Sequence, residues 1–431
     1  ERQIEICNNA KELIKNPVNV VFENLGPSIN SPYPDYYPFI SRDESLLIFN
    51  SKRKGNTGNL EDFDGYNTPD IYMSEYKYGN WKKVKRFSNN VNTPLAEEIV
   101  GMSPDGTRIF IFMDNEYASS TVFESRLVDK NYQKPVPLGS NINVSNKFVS
   151  SATISKDKKT LFFSADYGTK EGYGGLDIYM ATLLPTGEWG KPVNVGNIIN
   201  TPYDEDFPNL SSDGQTLYFA SIGHNTMGDY DIFKTTWDKT DNAFSQPVNI
   251  GYPVNTPEDN KTISFTSSGR YAYMHAKRDD SYGDLDIYRL IFKDVEPVYS
   301  VVNGYILTVD SILVFKDFNS KNNKTAISNN GNKSHNNKDE SNDISVKKLN
   351  TLEINIEVYN KSDSTLYGKY TPDKNTSRYT IILPPGDFTV NIKSNFFDDY
   401  LFDISIMDRD SRDTYINRNI KLKYKWHKES K

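Results

Sequence analysis

Short runs in which apolar and polar residues alternate cover much of the chain, and this period of two predicts strands. Five of the apolar runs follow a polar turn that opens with Ser or Thr, and four of these turns carry Asp at the third position. Asp105-Gly106 is a strong hairpin signal because Gly accepts the positive φ of a type I′ turn. The runs are therefore predicted to be buried strands. They are Leu46–Phe49, Ile109–Phe112, Leu161–Phe163, Leu217–Phe219 and Tyr271–Tyr273.

These hairpins belong to an internal repeat. An apolar-Asn-Ser/Thr step precedes each turn, with Val144 replacing Ser/Thr in the third copy. Its asparagines are Asn30, Asn92, Asn143, Asn200 and Asn255, separated by 62, 51, 57 and 55 residues. A further strand opening with Asp-Ile-Tyr or Asp-Ile-Phe follows in every copy except the second, at Asp70, Asp177, Asp231 and Asp286. Each copy thus predicts about four strands in roughly 55 residues.

Four-stranded units that repeat at this length predict a β-propeller, in which each small sheet buries its faces against its neighbours. The copies lie between about Pro17 and Lys293, which predicts five blades within a domain at 17–298. A sixth, degenerate blade closed by the segment Val298–Val302 is the alternative. The predicted fold class is all-β.

Two further regions flank the repeats. Residues 1–16 carry an apolar stripe that predicts one helix, which is either the end of a helical-repeat domain or a cap on the propeller. Residues 299–431 predict a small β-sandwich with strands at Tyr299–Val309, Leu352–Tyr359, Tyr379–Leu383, Phe388–Ile392, Tyr400–Ile406 and Ile416–Leu422. The Asn-rich, charged composition of 318–349 predicts a disordered insertion in that domain.

Composition and charge exclude several classes of protein. Aromatic residues make up 13% of the chain, which is too much ring surface for a disordered protein. Because the net charge is −7, the chain has no overall positive charge with which to bind nucleic acid or anionic lipid. Cys7 is the single cysteine, so no internal disulfide can form. The sequence opens at Glu1 without an initiator Met, and we expect a processed form or a fragment.

The repeat resembles a known family of propellers. The steps Asn-Thr, Ser-x-Asp-Gly, Tyr-Phe-x-Ser and Gly-x-Asp-Ile-Tyr resemble the TolB-like, WD-type (PD-repeat) propeller repeats of bacterial envelope proteins. Val302-Asn303-Gly304 and the turn and strand Leu383–Val390 resemble a carboxypeptidase regulatory-like sandwich. Both domains occur together in Bacteroidetes OmpA-family envelope proteins, including PorE-type components of the type IX secretion system. The resemblance implies a periplasmic protein associated with the outer membrane. Nothing after Leu422 resembles an OmpA-like domain, so peptidoglycan binding does not follow from this chain.

Catalytic motifs are missing from the sequence. None of the four histidines, His224, His275, His335 and His427, stands in a zinc-protease or nucleophile-base arrangement. No Gly-rich loop leads from a strand into a helix, so nucleotide binding has no support. We expect no enzyme activity and no cofactor.

Three acids occupy equivalent positions in the repeat. The position five residues after the repeat Asn is Asp35, Glu97 and Glu205 in copies one, two and four, and Phe148 and Asn260 in the other two. Pseudo-symmetry would place these acids on one ring, where they could hold a cation or a basic peptide. The alternative is that they are ordinary solvated loop acids, and the sequence leaves the metal undecided.

Tyrosines crowd the predicted loops. Because a Tyr ring gives a large amphipathic contact area at small entropic cost, such loops suit protein binding. The candidates are Tyr36, Tyr37, Tyr167, Tyr173, Tyr203 and Tyr230. Packing within and between blades is the alternative.

These features together predict a non-enzymatic interaction scaffold of the Gram-negative envelope, with envelope or outer-membrane proteins as partners. A module that binds carbohydrate or peptidoglycan fragments is the alternative function.

Overall fold

A computed structural model describes residues 1–115, 118–168, 170–318 and 351–425. The chain divides into two compact units, Glu1–Glu296 and Pro297–Lys431. From residue 319 onwards, the predicted insertion at 318–349 lies outside the described residues. Within the described ranges, no helix is long and apolar enough to cross a membrane.

The first unit opens with helix α1 (Arg2–Leu13) and strand β1 (Val20–Asn24). Five antiparallel sheets follow in the described residues, each made largely from one repeat. The first sheet contains β2 (Asp35–Ile40), β3 (Leu46–Ser51), β4 (Asp70–Lys77), β5 (Asn80–Trp81) and β6 (Lys85–Arg86). The second contains β7 (Ala96–Met102), β8 (Arg108–Asn115), β9 (Ala118–Val128), β10 (Asn131–Tyr132) and β11 (Val136–Pro137). The third contains β12 (Phe148–Ile154), β13 (Thr160–Asp166), β14 (Asp177–Thr182) and β15 (Val193–Asn194). The fourth contains β16 (Glu205–Leu210), β17 (Thr216–Ser221), β18 (Asp231–Asp238), β19 (Ala243–Phe244) and β20 (Val248–Asn249). The fifth contains β21 (Ser264–Phe265), β22 (Tyr271–Ala276) and β23 (Asp286–Phe292).

The sheets form a closed ring. The first strand of one sheet packs on the strands of the preceding sheet, as β12 does on β9 and β16 does on β12. The fifth sheet packs against the first through β22 and β2, and its fourth strand is β1 from the start of the chain. This arrangement makes the first unit a β-propeller, as the repeat predicted. The helix predicted at 1–16 is α1.

The repeat Asn joins neighbouring repeats at every junction. The side chain of Asn200 accepts a hydrogen bond from the Ile178 N–H at 2.8 Å and donates to the Ile178 carbonyl at 2.9 Å. Asn30, Asn92 and Asn255 make the same pair of bonds to Ile287, Ile71 and Ile232. Asn143 donates to the Val122 carbonyl at 3.0 Å. The amide group therefore pairs with the third strand of the preceding sheet as another strand's backbone would.

All of these junctions lie at one end of the sheets. Because consecutive strands are antiparallel, the loop that enters the first strand and the loop between the second and third strands share that end. We call it the loop face. The Ser-x-Asp turns lie at the opposite end, the turn face.

The second unit contains two sheets. Its strands are β24 (Ser300–Thr308), β25 (Ile354–Asn360), β26 (Leu366–Tyr370), β27 (Arg378–Leu383), β28 (Gly386–Ser394), β29 (Tyr400–Ile406), β30 (Tyr415–Asn417) and β31 (Ile420–Leu422), with a helical segment at 314–318. One sheet has β24 between β27 and the parallel pair β30 and β31, and the other has the order β26-β25-β28-β29. Buried side chains of both sheets, including Val302, Ile356 and Phe388, form one core. Because Ser300–Val302 pair with β27, this segment does not close a sixth sheet of the first unit.

Candidate functional site

The three acids of the predicted ring are buried in their own turns. Asp35, Glu97 and Glu205 have no exposed surface. Each carboxylate accepts hydrogen bonds from the backbone N–H and the hydroxyl of the Ser or Thr four residues earlier, as Thr201 donates to Glu205 at 2.7 Å from both groups. They are therefore neither solvated loop acids nor free ligands. In the part of the chain that the structure describes, no group of three or more His, Cys, Asp or Glu could hold a metal ion.

A second set of acids lies beside them at the junctions. Asp70, Asp177, Asp231 and Asp286 open the third strands, and one oxygen of each accepts a bond from a backbone N–H in the preceding loop, as the Tyr173 N–H donates to Asp177 at 2.6 Å. The other oxygen of each is buried without a hydrogen-bond partner.

This crowding of buried carboxyl groups changes their ionisation. Burial raises the pKa of Glu97 and of Glu205 to about 7, with a further increase from Asp70 and Asp177 respectively. Burial also raises the pKa of Asp231 to about 6. The Glu97 and Glu205 carboxyl groups are therefore largely protonated below neutral pH. Asp35 forms an ion pair with Arg53 at 2.6 Å.

A different set of polar side chains meets on the axis of the ring. We call it the axial cluster, and its members are Tyr36, Tyr37, Glu98, Ser150, Asp206 and Lys261. The two tyrosines, Glu98, Ser150 and Asp206 belong to the first strands of four sheets, β2, β7, β12 and β16. Lys261 lies just before β21 of the fifth sheet.

Contacts between sheets that are not ring neighbours place this cluster at the centre. The Tyr37 ring of the first sheet lies 4.6 Å from Phe207 of the fourth, and β7 of the second sheet packs on β16 of the fourth. The Tyr36 hydroxyl donates to Glu98 at 2.5 Å. Ser150 and Ser151 donate to the same oxygen of Asp206 at 2.6 and 2.7 Å.

Burial is the main cause of the pKa shifts in the axial cluster. Burial raises the pKa of Glu98 although Tyr36, Lys52 and Lys261 oppose the shift. Burial also raises the pKa of Asp206 against the bonds from both serines. The pKa of Tyr37 lies well above its usual value because burial and the nearby Glu98 disfavour the phenolate. Burial and Lys261 lower the pKa of His275, whose ring is 5.3 Å from Tyr37, to about 4.

The predicted tyrosines separate into three groups. Tyr36, Tyr37 and Tyr230 lie at or beside the axial cluster, and Lys261 stands 4.8 Å above the Tyr230 ring. Tyr173 and Tyr203 are exposed on the loop face. Tyr167 is buried, as Tyr36 of the first group is, and its hydroxyl donates to the Ile142 carbonyl. For Tyr36 and Tyr167 the structure thus shows the alternative of packing within and between blades, since their rings lie inside the unit.

Sequence reasoning missed Glu98, Asp206 and Lys261. Each stands one position after the acid or Asn on which the ring prediction depended, and side chains alternate between the two sides of a strand. The residue at position five therefore enters the junction while the residue at position six reaches the axis. The repeat spacing marks both positions in the sequence. Deciding which of the two faces the axis required knowing which side of each first strand faces it.

Comparison with known proteins gives only distant likenesses. No family model matches the sequence, and no curated protein matches it. Among solved structures, TolB from Acinetobacter baumannii is 16% identical over 61% of this chain and 55% of its own, with a TM-score of 0.37. An endo-arabinase from Bacteroides thetaiotaomicron is 14% identical over 60% of this chain and 95% of its own, with a TM-score of 0.36. This chain thus spans about half the length of the Acinetobacter protein. At these values the likenesses assign no activity, substrate or partner.

Proposed function

We propose that this protein is a non-enzymatic interaction scaffold of the Gram-negative envelope that binds partner proteins with its loop face. The observation that carries the proposal is the concentration of exposed aromatic rings at that end, next to two exposed leucines. Leu60, Phe63, Leu95, Tyr173, Tyr203 and Tyr282 are 39 to 100% exposed there. Among the described residues of the turn face, Tyr78 is the one exposed aromatic ring. Aromatic side chains concentrated at one end are typical of protein-binding surfaces.

The state of the axial carboxylates supports a binding role rather than catalysis. Glu98 accepts a bond from Tyr36, and one oxygen of Asp206 accepts bonds from Ser150, Ser151 and the Phe207 N–H. These bonds join β2 to β7 and β12 to β16, so the two carboxylates hold the first strands of four sheets together.

The proposal also covers the architecture of the two units and the cellular location of the protein. We propose that the first unit is a complete five-bladed propeller and that the second is a carboxypeptidase regulatory-like sandwich. The repeat motifs support a periplasmic, outer-membrane-associated location and a role in secretion or gliding machinery of the type IX kind.

Photocrosslinking in the native envelope tests the scaffold. A photoreactive amino acid at Tyr173 or Tyr282 should crosslink to envelope or outer-membrane proteins. The same amino acid at Tyr78, which is more exposed and lies on the turn face, is the control and should give no such product. Equal capture from both faces, or capture from neither, would contradict the proposal.

Carbohydrate or peptidoglycan-fragment binding is the second candidate. It is favoured by the half-buried Tyr37 and Tyr230 rings near the half-buried Glu98 carboxylate, because rings stack on sugars and carboxylates accept their hydroxyls. Calorimetric titration with muropeptides and plant-wall oligosaccharides tests it. Binding that is lost in Tyr37→Ala would support this function, and a flat response to every sugar would exclude it.

A further inference from the structure

We propose that Phe63 is the anchor of the loop face and that it inserts into an apolar pocket of a partner protein whose rim carries Lys or Arg. This inference rests on the proposed function and names the chemistry of the partner. Three observations carry it: the exposure of the ring, the rigidity of the loop beneath it and the charge around it.

Phe63 is fully exposed at 100%, whereas most large apolar side chains of the first unit are buried. A fully solvated phenyl ring gains free energy when a partner covers it, and interface hot spots are enriched in such aromatic anchors. Two further apolar side chains of the loop face, Leu60 and Leu95, are 45% and 41% exposed. Their loops touch, because a Cβ at Gly58 would lie 2.1 Å from the Pro94 carbonyl oxygen.

The loop holds the backbone at Phe63 in one position before any partner binds. The Gly65 N–H donates to the Asp62 carbonyl at 3.1 Å, which makes Phe63 and Asp64 the central residues of a tight turn. The Asp62 N–H donates to the Tyr66 carbonyl at 2.7 Å, and Glu61 forms a bridge with Asn67. A loop whose backbone is already ordered loses little conformational entropy when a partner binds, and this raises the affinity.

The base of the loop is also fixed. The Asn56 side chain, 2% exposed, donates to the Leu60 carbonyl at 3.0 Å and to the Thr68 hydroxyl at 2.6 Å. The Tyr66 ring packs edge-on against Tyr33 of the neighbouring loop at 6.2 Å. The ring of Phe63 is thus exposed although its backbone is tied at both ends of the loop.

The charge at the tip selects the partner. Glu61, Asp62 and Asp64 flank Phe63 in the sequence, and Lys52 pairs with Asp62 at 2.9 Å and with Asp64 at 2.5 Å. These four charged residues together carry a net charge of −2; of the two other basic residues of the loop, Arg53 pairs with Asp35 and Lys54 is exposed at the start of the loop. An acidic rim around an apolar anchor is complementary to a pocket with a basic rim, and like charge would repel a partner with an acidic rim.

Crosslinking from two positions on the loop face tests this inference separately from the scaffold itself. With the photoreactive amino acid at Phe63, the crosslinked peptide of the partner should be apolar and should contain Lys or Arg. With the photoreactive amino acid at Tyr282, Phe63→Ser should lower the yield of the crosslinked complex by tenfold or more, while Phe63→Leu should lower it less than threefold. Glu61→Lys should weaken capture, and Glu188→Lys, on the turn face, is its matched control.

The outcomes are distinct. If residue 282 captures a partner and Phe63→Ser does not change the yield, the proposed anchor role of Phe63 is wrong, while the proposed scaffold function is supported. An acidic or wholly polar crosslinked peptide would also overturn the anchor. If neither position captures a protein, both proposals fail. Because the ring of Phe63 contacts solvent alone, the melting temperature of Phe63→Ser should equal that of the parent protein, which shows that a lost complex is not a folding defect.

Discussion

At the scale of single residues, the repeat asparagines explain why an Asn recurs every 50 to 60 residues or so. Their amide groups carry a donor and an acceptor in the geometry of a peptide unit, and both are used on one backbone residue of the preceding sheet. A Ser or Asp could supply one half of this pair. The side chain is also buried, since Asn200 is 1% exposed.

Replacing Asn200 with Ala should destabilise the first unit by about 2 to 4 kcal/mol, because the buried Ile178 N–H and carbonyl both lose their partner. Urea unfolding followed by tryptophan fluorescence measures the loss. Asn16→Ala, at an exposed position after α1, is the control and should change the free energy of unfolding by less than about 0.5 kcal/mol. Equal stability of Asn200→Ala and the parent would show that the pairing is dispensable.

The junction carboxyl groups make a prediction about pH. The pKa of Glu97 and Glu205 is about 7 in the folded state, above the ordinary value of 4.5 in the unfolded chain. Their stabilising contribution is complete below the unfolded pKa and is lost as pH rises through 7. The free energy of unfolding should therefore fall between pH 6.5 and pH 8.5, and the comparison with a Glu205 variant separates this fall from the smaller, opposite contribution of His224 and His275, whose pKa is lowered by burial.

Urea titrations at these two pH values measure the fall. Glu205→Gln mimics the protonated carboxyl and should flatten the pH dependence substantially. Glu188→Gln, an exposed acid on the turn face, should leave it unchanged. A Glu205→Gln curve that runs parallel to the parent curve would contradict the assigned ionisation.

At the scale of elements, loops of neighbouring repeats pack closely where a glycine of one loop meets a proline of the next. The glycine lies in the loop before a third strand. The proline lies two residues after the Asn of the following repeat. A Cβ at Gly58, Gly174, Gly228 or Gly283 would come within 2.6 Å of a backbone atom of Pro94, Pro202, Pro257 or Pro32. Close approach of the two backbones, rather than a positive φ, is what requires glycine here.

Gly228→Ala should therefore destabilise the first unit by about 1 to 3 kcal/mol, since its Cβ would lie 2.3 Å from the Pro257 carbonyl oxygen. Gly190→Ala is the matched control, because the nearest atom to its Cβ would be 3.3 Å away. Thermal unfolding by calorimetry compares the two. The interlocking argument fails if both variants melt at the same temperature.

At the scale of the whole first unit, the ring closes with a strand from the other end of the propeller. Strand β1 pairs with β23 over five residues, from Val20 opposite Phe292 to Asn24 opposite Tyr288. The same junction contains a buried ion pair, in which Arg289 donates to Glu44 at 2.6 Å. Helix α1, by contrast, has no buried residue and contacts the loops of the fourth sheet through Arg2 and Asn9.

Deleting residues 1–24 should expose the edge of β23 and lower the melting temperature by more than about 10 °C, or cause aggregation. Deleting residues 1–16 alone removes α1 and keeps β1, so this control should melt within about 3 °C of the parent. Calorimetry and light scattering on the three proteins give the comparison. An equal drop in melting temperature in both deletions would mean that the helix, not the strand, closes the ring.

The sequence by itself determined the repeat, the strands and the all-β class, because a period of two, Asp-Gly turns and the recurring Asn are local signals. It also determined that residues 1–16 contain a helix, α1. In the second unit it predicted six strands but missed β26, Leu366–Tyr370, whose side chains are largely exposed and give no clear alternation.

Tertiary structure alone decided how these pieces meet. Local patterns do not show that Val20–Asn24 pairs with a strand some 270 residues later, because that contact depends on ring closure. They also do not show that Glu98 and Asp206 reach the axis while Glu97 and Glu205 enter the junctions, since one step along a strand reverses the side chain. The binding surfaces depend on this choice, which only the packing of five sheets around one axis makes.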